Sequence, residues 1–261
     1  MFAYIDLRAT TSLPTYCAAH TKHFRPGWGE IETSLPFSYD SPAPSSPPMI
    51  TLSSLDPQIA ARSLLKHPFY LAWSKGELTI EDLRVYAKEY FHLVERIPGI
   101  VARIKERETD AARREMIAQN EQEEREHIVL WKRFAKSLGV TEVELTAHVA
   151  SAKTEQAIAS LERIAEEGLE EGIVAMYALE LELPAIAKTK KEGLCSYYNL
   201  ASEDALAYFD EHEKEEEHLK VWRGYPVRES AAERASDASV SAQHQVLDAV
   251  CEACGISTVC M

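Results

Sequence analysis

The sequence predicts an all-α bundle of about seven to eight helices, and three observations carry that reading. From Leu55 onward, apolar residues recur at helical spacing. Successive segments open on short polar residues followed by acids, the signature of a capped helix start. No β-α-β alternation, glycine-rich phosphate loop or internal repeat interrupts the pattern, and the 261 residues contain only 10 glycines.

The first 48 residues stand apart. They hold seven of the twelve prolines and end in Ser41-Pro-Ala-Pro-Ser-Ser-Pro-Pro48, which cannot continue a helix. Residues 1–48 therefore read as a Pro/Ser-rich, disordered extension or as a mis-assigned start ahead of Met49. The helical domain is expected over 49–255, with 256–261 as a flexible tail.

Within that domain, Thr79-Ile-Glu-Asp82 caps a long helix, Leu83 to Arg107, that Pro98 should kink. Asp110 caps the next, which passes His127 and Trp131 and stops near Gly139. Thr141-Glu-Val-Glu144 is a capping box for a short helix. A helix over Thr154 to Glu166 follows, and Gly168 separates it from an apolar one, Leu169 to Lys190. Ser202 caps a segment through Trp222 that Gly224 and Pro226 end, and a final helix spans about Ser230 to Cys254.

Composition narrows the function. With 28 Lys and Arg against 42 Asp and Glu, the net charge of −14 argues against a nucleic-acid groove or an anionic membrane surface as partner. No segment has the roughly 18 uninterrupted apolar residues of a membrane helix. The five cysteines (Cys17, Cys195, Cys251, Cys254, Cys260) are odd in number and scattered, which suits reduced thiols in a cytoplasmic setting. Cys251 and Cys254, with Cys260, read as a free, partly frayed helix end, and Cys195 as a loop residue.

Of nine histidines, His20 and His23 fall in the extension, and His92, His148 and His244 read as lacking acidic company at ligand spacing. His127, His212 and His218 differ. In Asn120-Glu-Gln-Glu-Glu-Arg-Glu-His127, Glu124 and His127 lie about 60° apart on one helix face. Glu-x-x-His is the spacing by which bundle helices present a carboxylate and an imidazole to a di-metal centre. Glu123 is a second geometric option. In His212-Glu-Lys-Glu-Glu-Glu-His218, the residues His212, Glu215 and His218 share an arc of about 120° on a regular helix. Glu216 would lie about 160° from His218 unless the helix is distorted. Glu180, in the apolar run Gly172 to Pro184, is costly to bury without a cation or donor. Each cluster alone also reads as a solvated charged face. Together they form an imidazole and carboxylate set without thiolate, suited to iron or manganese with open positions for dioxygen.

Three blocks carry a resemblance: Leu65 to Thr79, including His67-Pro-Phe-Tyr70; His127-Ile-Val-Leu-Trp-Lys-Arg-Phe134; and Tyr208-Phe-Asp-Glu-His-Glu213. From about Leu55 to the C-terminus the sequence resembles the CADD-like proteins (named for a chlamydia protein associating with death domains). These belong to the haem-oxygenase-like di-metal oxidases, in the TenA/PqqC superfamily. The resemblance implies a haem-oxygenase-like bundle holding two iron ions or a manganese/iron pair, with dioxygen and an external reductant as co-reactants. It implies p-aminobenzoate formation for folate biosynthesis, with Tyr70 as precursor and Lys190 as amino donor. Without it, Tyr70 reads as core filling and Lys190 as a solvated lysine. The implied metal ligands are Glu124, His127, Glu180, His212, Glu215 or Glu216, and His218; family alignment favours Glu216 where helical geometry favours Glu215. A tyrosine that precedes the middle glutamate in the chlamydial relative is Leu179 here. Other readings stay open: an oxidase of PqqC-like or di-metal type acting on an external small molecule, a non-enzymatic interaction module, and a homodimer.

Overall fold

The computed structural model describes residues 47–258, without the side chains of residues 215–218. The extension up to residue 46 with Cys17, and the last three residues with Cys260, lie outside the described residues. Eleven α-helices make up most of this region: α1 Asp56–Ala61, α2 Pro68–Lys75, α3 Ile80–Arg107, α4 Ala111–Ser137, α5 Glu142–Ala147, α6 Ala152–Glu167, α7 Leu169–Glu180, α8 Leu183–Tyr197, α9 Glu203–His212, α10 Glu215–Arg223 and α11 Glu229–Cys254.

The expected caps form. The Asp82 amide donates to Thr79 Oγ1 at 3.1 Å while the Thr79 amide donates to Asp82 Oδ2 at 2.7 Å. Thr141 and Glu144 repeat that reciprocal pair at the start of α5, and Asp110 accepts from the Arg113 amide at 2.9 Å. Each such cap contributes about 0.5–2 kcal/mol.

The helix count exceeds the expected seven or eight because three segments break. Pro68 starts α2 afresh after α1. Pro184 has no N–H for the Glu180 carbonyl and its ring clashes with it, so the expected helix from Leu169 to Lys190 becomes α7 and α8. The segment from Ser202 to Trp222 divides at Lys214, whose ψ of 69° is not helical. There, Glu211/Glu215 and Glu213/Glu217 are like-charge pairs at i, i+4, which disfavour continuity. By contrast, α3 continues through Pro98. One feature has no counterpart in the sequence reading: β1 Met49–Thr51 pairs antiparallel with β2 Pro226–Arg228, Ile50 opposite Val227. At the other end α11 is not frayed. Gly255 takes φ +70° and the Ile256 amide donates back to the Cys251 carbonyl at 2.8 Å, closing the helix.

Two cores result. An aliphatic one joins α3, α6, α7 and α11 through residues such as Ile100, Ile104, Leu161, Ile173 and Val246. The second is rich in aromatic rings and joins α2, α3, α4, α8 and α9 through Phe69, Tyr70, Trp73, Tyr86, Trp131 and Phe209. Full burial of such side chains contributes about 1.5–3 kcal/mol each. Tyr90 packs against both cores and marks where they meet. No helix among the described residues is long and apolar enough to cross a membrane.

Candidate metal centre and its aromatic enclosure

The candidate ligands converge where the two cores meet. On α4, Glu124 and His127 are both buried, and His127 Nδ1 donates to Glu124 Oε2 at 3.2 Å. Burial alone would lower the His127 pKa, but the bonded Glu124 carboxylate prevails and raises it. Glu123 is turned away: it pairs with Gln119 at 3.1 Å and lines an outer cleft of about 480 Å³ that reaches His127. His212, the last residue of α9, is buried with its ring centroid 4.4 Å from that of His127. His212 Nδ1 donates to the Tyr208 carbonyl at 2.7 Å, so the lone pair of the neutral ring is on Nε2.

Glu180 closes α7 and is 2% exposed. Among the described residues, neither of its carboxylate oxygens has a hydrogen-bond partner, and the Trp222 indole N–H is likewise unpartnered. Burial, reinforced by the Glu124 charge, holds the Glu180 pKa well above the usual carboxylate range, although the Trp222 indole N–H faces the carboxyl, short of a well-formed hydrogen bond, and opposes the shift. An unpartnered carboxyl at such a depth is the arrangement a bound cation would relieve. Carboxylate and imidazole donors without thiolate fit iron or manganese. A cavity of about 20 Å³, room for about one water, is bordered by Glu124, His212, Tyr90, Tyr208 and Leu179.

The side chains of Glu215, Glu216 and His218 lie outside the described residues. The break at Lys214 overturns the premise of one regular helix from His212 to His218, and with it the geometric preference for Glu215. Among the described residues, no three His, Cys, Asp or Glu side chains already surround a single point at ligand distance.

Tyr70 and Lys190 are in the aromatic core beside these residues. Lys190 is not solvated: it is 3% exposed, on α8. Its Nζ donates to the Tyr86 hydroxyl and lies 4.7, 5.1, 5.2 and 5.5 Å from the ring centroids of Tyr86, Tyr90, Tyr70 and Phe209. Burial lowers its pKa from 10.5 to about 7. Burial also raises the Tyr70 pKa well above 10, so its phenol stays protonated.

Local packing fixes both groups. His67 caps α2, accepting from the Phe69 amide on Nδ1 at 3.2 Å, while Nε2 faces Asp248 at 3.1 Å. Trp73 Nε1 donates to the Lys190 carbonyl at 3.2 Å. That approach requires Gly193, where a Cβ would fall 2.4 Å from Trp73 Nε1.

Further residues differ from the sequence reading. Cys195 is on helix α8 and exposed, not in a loop. Burial raises the Cys251 thiol to about 11 and the Cys254 thiol to about 12, which keeps both protonated. His92 and His148 do have acidic company, since they meet beside Glu89, whereas His244 donates to the Arg62 carbonyl at 2.9 Å. Glu89 is three residues before His92, a spacing visible in the sequence.

A family model for the TENA/THI-4/PQQC family matches residues 56–253. The chain belongs to the TENA/THI-4/PQQC family. Among relatives of this family member is a 4-aminobenzoate synthase of Chlamydia muridarum, 38% identical over 168 residues, covering 62% of this chain and 71% of the relative. Another, of Nitrosomonas europaea and also named 4-aminobenzoate synthase, is 34% identical over 173 residues, covering 61% and 70%. Solved structures give the fold. A domain of unknown function with a heme oxygenase-like fold from Shewanella denitrificans superposes with a TM-score of 0.69 at 18% identity, over 78% of this chain and 93% of that one. A CADD-like protein of unknown function from Nostoc punctiforme gives 0.60 at 16% identity, over 79% and 99%. The TENA/THI-4/PQQC member described here thus has the heme oxygenase-like fold.

Proposed function

We propose that this chain is a dioxygen-dependent di-metal p-aminobenzoate synthase serving folate biosynthesis, which draws the ring of its product from Tyr70 and the nitrogen from Lys190. The relatives named 4-aminobenzoate synthase support the product. The observation that carries the internal precursor is the buried Lys190 amine, 5.2 Å from the centroid of the Tyr70 ring.

Tyrosine and p-aminobenzoate share a ring with one carbon at C1 and a heteroatom at C4. Conversion needs cleavage of Tyr70 Cα–Cβ, oxidation of Cβ to a carboxylate, bonding of the Lys190 nitrogen to C4 with the C4 oxygen leaving as water, and cleavage of Lys190 Cε–Nζ to release the amine, with dioxygen as the oxidant. Glu124, His127, Glu180 and His212 would hold the metals, with Glu215 or Glu216 and His218 completing the set. Two iron ions or a manganese/iron pair would supply the capacity to activate dioxygen with electrons from an external reductant. The chain's own residues do the rest. With a pKa of about 7, Lys190 has a large neutral fraction at neutral pH, and only the neutral amine is nucleophilic. The Tyr86, Tyr90 and Phe209 rings enclose it and exclude water. Because the precursor is consumed, yield is limited to one product per chain. Free thiols at Cys195, Cys251 and Cys254 suit a reducing cytoplasm.

Peptide mass spectrometry over Lys66 to Lys75, after exposure to metal, reductant and oxygen, tests the reading. Loss of the Tyr70 side chain in step with p-aminobenzoate is the expected result. An intact Tyr70 beside accumulating product would overturn the internal precursor in favour of an external substrate. Metal analysis should find about two transition-metal ions per chain, as a di-metal bundle site holds; active protein without them would overturn the di-metal reading.

A further inference from the structure

Away from the candidate centre, α3 carries another Glu-x-x-His pair, Glu89 and His92, onto which His148 closes from the end of α5. His92 Nε2 and His148 Nδ1 are 3.1 Å apart. Behind the His148 ring, its Nε2 lies 3.5 Å from Glu89 Oε2. Glu89 is 4% exposed, and its other oxygen accepts from the Ser151 amide at 2.9 Å. Burial works against charge on Glu89, but hydrogen bonds from Thr154 and Ser151 prevail and hold its pKa below the usual value. A buried carboxylate therefore backs one of two imidazoles whose nitrogens converge.

We infer that His92 and His148 form a bis-imidazole site for a borderline divalent cation of the zinc or copper(II) class, with Glu89 orienting His148 from behind. Two nitrogens bound to one such ion at roughly 2.0–2.1 Å each, at angles between 90° and tetrahedral, are about 2.8–3.4 Å apart, which brackets the observed separation. A ligating imidazole characteristically gives its other N–H to a carboxylate. Glu89, 3.5 Å behind His148 Nε2, supplies the carboxylate charge on that side and favours the tautomer with its proton there and the Nδ1 lone pair toward His92. His148 is also kept in the neutral, ligating form: burial lowers its pKa, His92 and the Lys88 ammonium add to that, and Glu89 opposes it. Both rings are partly exposed, so water can fill the remaining positions. The cluster shares no residue with Glu124, His127, Glu180 or His212, so it stands or falls independently of the proposed chemistry.

Protein as isolated, with its resident metal content measured first, is titrated with copper(II) and competed with zinc. One further equivalent of copper should bind, with electron paramagnetic resonance showing two imidazole nitrogens. Affinity should fall at least about tenfold in His148→Gln and in His92→Gln, and about tenfold in Glu89→Gln, the usual effect of losing a carboxylate behind a ligand. The p-aminobenzoate yield of His148→Gln should match that of the parent. Wild-type protein that takes up no further copper overturns the site, whatever the variants do. So does a folded His148→Gln protein that binds copper as tightly as the parent.

Discussion

The Lys190 side-chain nitrogen stands 5.2 Å from the centre of the Tyr70 ring, although the two residues come from helices far apart in the chain. The enclosure that brings them together also sets the charge on the amine. Burial lowers the Lys190 pKa from 10.5 to about 7, so the unfolded chain binds more protons than the folded one between those values. Stability should therefore rise with pH across that window and be lowest at and below about pH 7. A shift of that size corresponds to about 4–5 kcal/mol. Lys190→Met should accordingly raise the melting temperature at pH 7, with the gain shrinking toward pH 10, and abolish p-aminobenzoate formation. Melting curves from pH 6 to 10 check the first outcome; a melting temperature at pH 7 no higher than the parent's would contradict it.

Glu180 should show opposite effects on stability and metal content. Its carboxyl oxygens are buried and lack partners among the described residues. Glu180→Met keeps a similar volume and removes the buried polar group, so metal-free protein should be stabilised by about 1–3 kcal/mol. Bound metal per chain should fall in the same variant. Denaturant titration of the metal-free form and elemental analysis of the loaded form read the two effects separately, and a destabilised metal-free variant would count against an ill-satisfied carboxylate.

How much of this was legible in the sequence depended on the range of the interaction. The caps at Thr79, Asp110 and Thr141 are made within three residues, so local spacing revealed them. Glu124 and His127 share a face for the same reason. Lys190 reads as an ordinary basic residue because its enclosure comes from Tyr86, 104 positions away, and from Phe209 on another helix. The break at Lys214 escaped a reading built on regular helical angles, since no proline or glycine marks it. The β1–β2 ribbon has only three residues per strand, too few for an alternating pattern.

His67 should act through Tyr70 and not on the chemistry itself. Its ring both caps α2 and faces Asp248 on α11, fixing the helix turn that carries Tyr70. His67→Ala loses both contacts and should cost about 1–2 kcal/mol. His67→Asn keeps a side-chain acceptor for the Phe69 amide and should recover part of that loss. If p-aminobenzoate yield follows the order of stability, parent above Asn above Ala, His67 is a positioning residue. A yield abolished equally in both variants would point instead to a direct chemical role.

Gly193 gives the strictest test of the enclosure's geometry. The indole of Trp73 reaches the α8 backbone there, and its N–H bonds the Lys190 carbonyl. A Cβ at position 193 would fall 2.4 Å from Trp73 Nε1, so Gly193→Ala must displace either the indole or α8. Overpacking of this kind costs about 1–3 kcal/mol. Because Lys190 is one turn before Gly193 on the same helix, the displacement should move its amine relative to the Tyr70 ring. The expected result is a folded protein with a lowered melting temperature, unchanged metal content and a p-aminobenzoate yield that falls more than the stability loss accounts for. Trp73→Phe in the same background removes the indole nitrogen, relieves the clash and should restore part of the yield. Failure of that second substitution to restore any yield would locate the defect elsewhere than the Trp73–Gly193 contact.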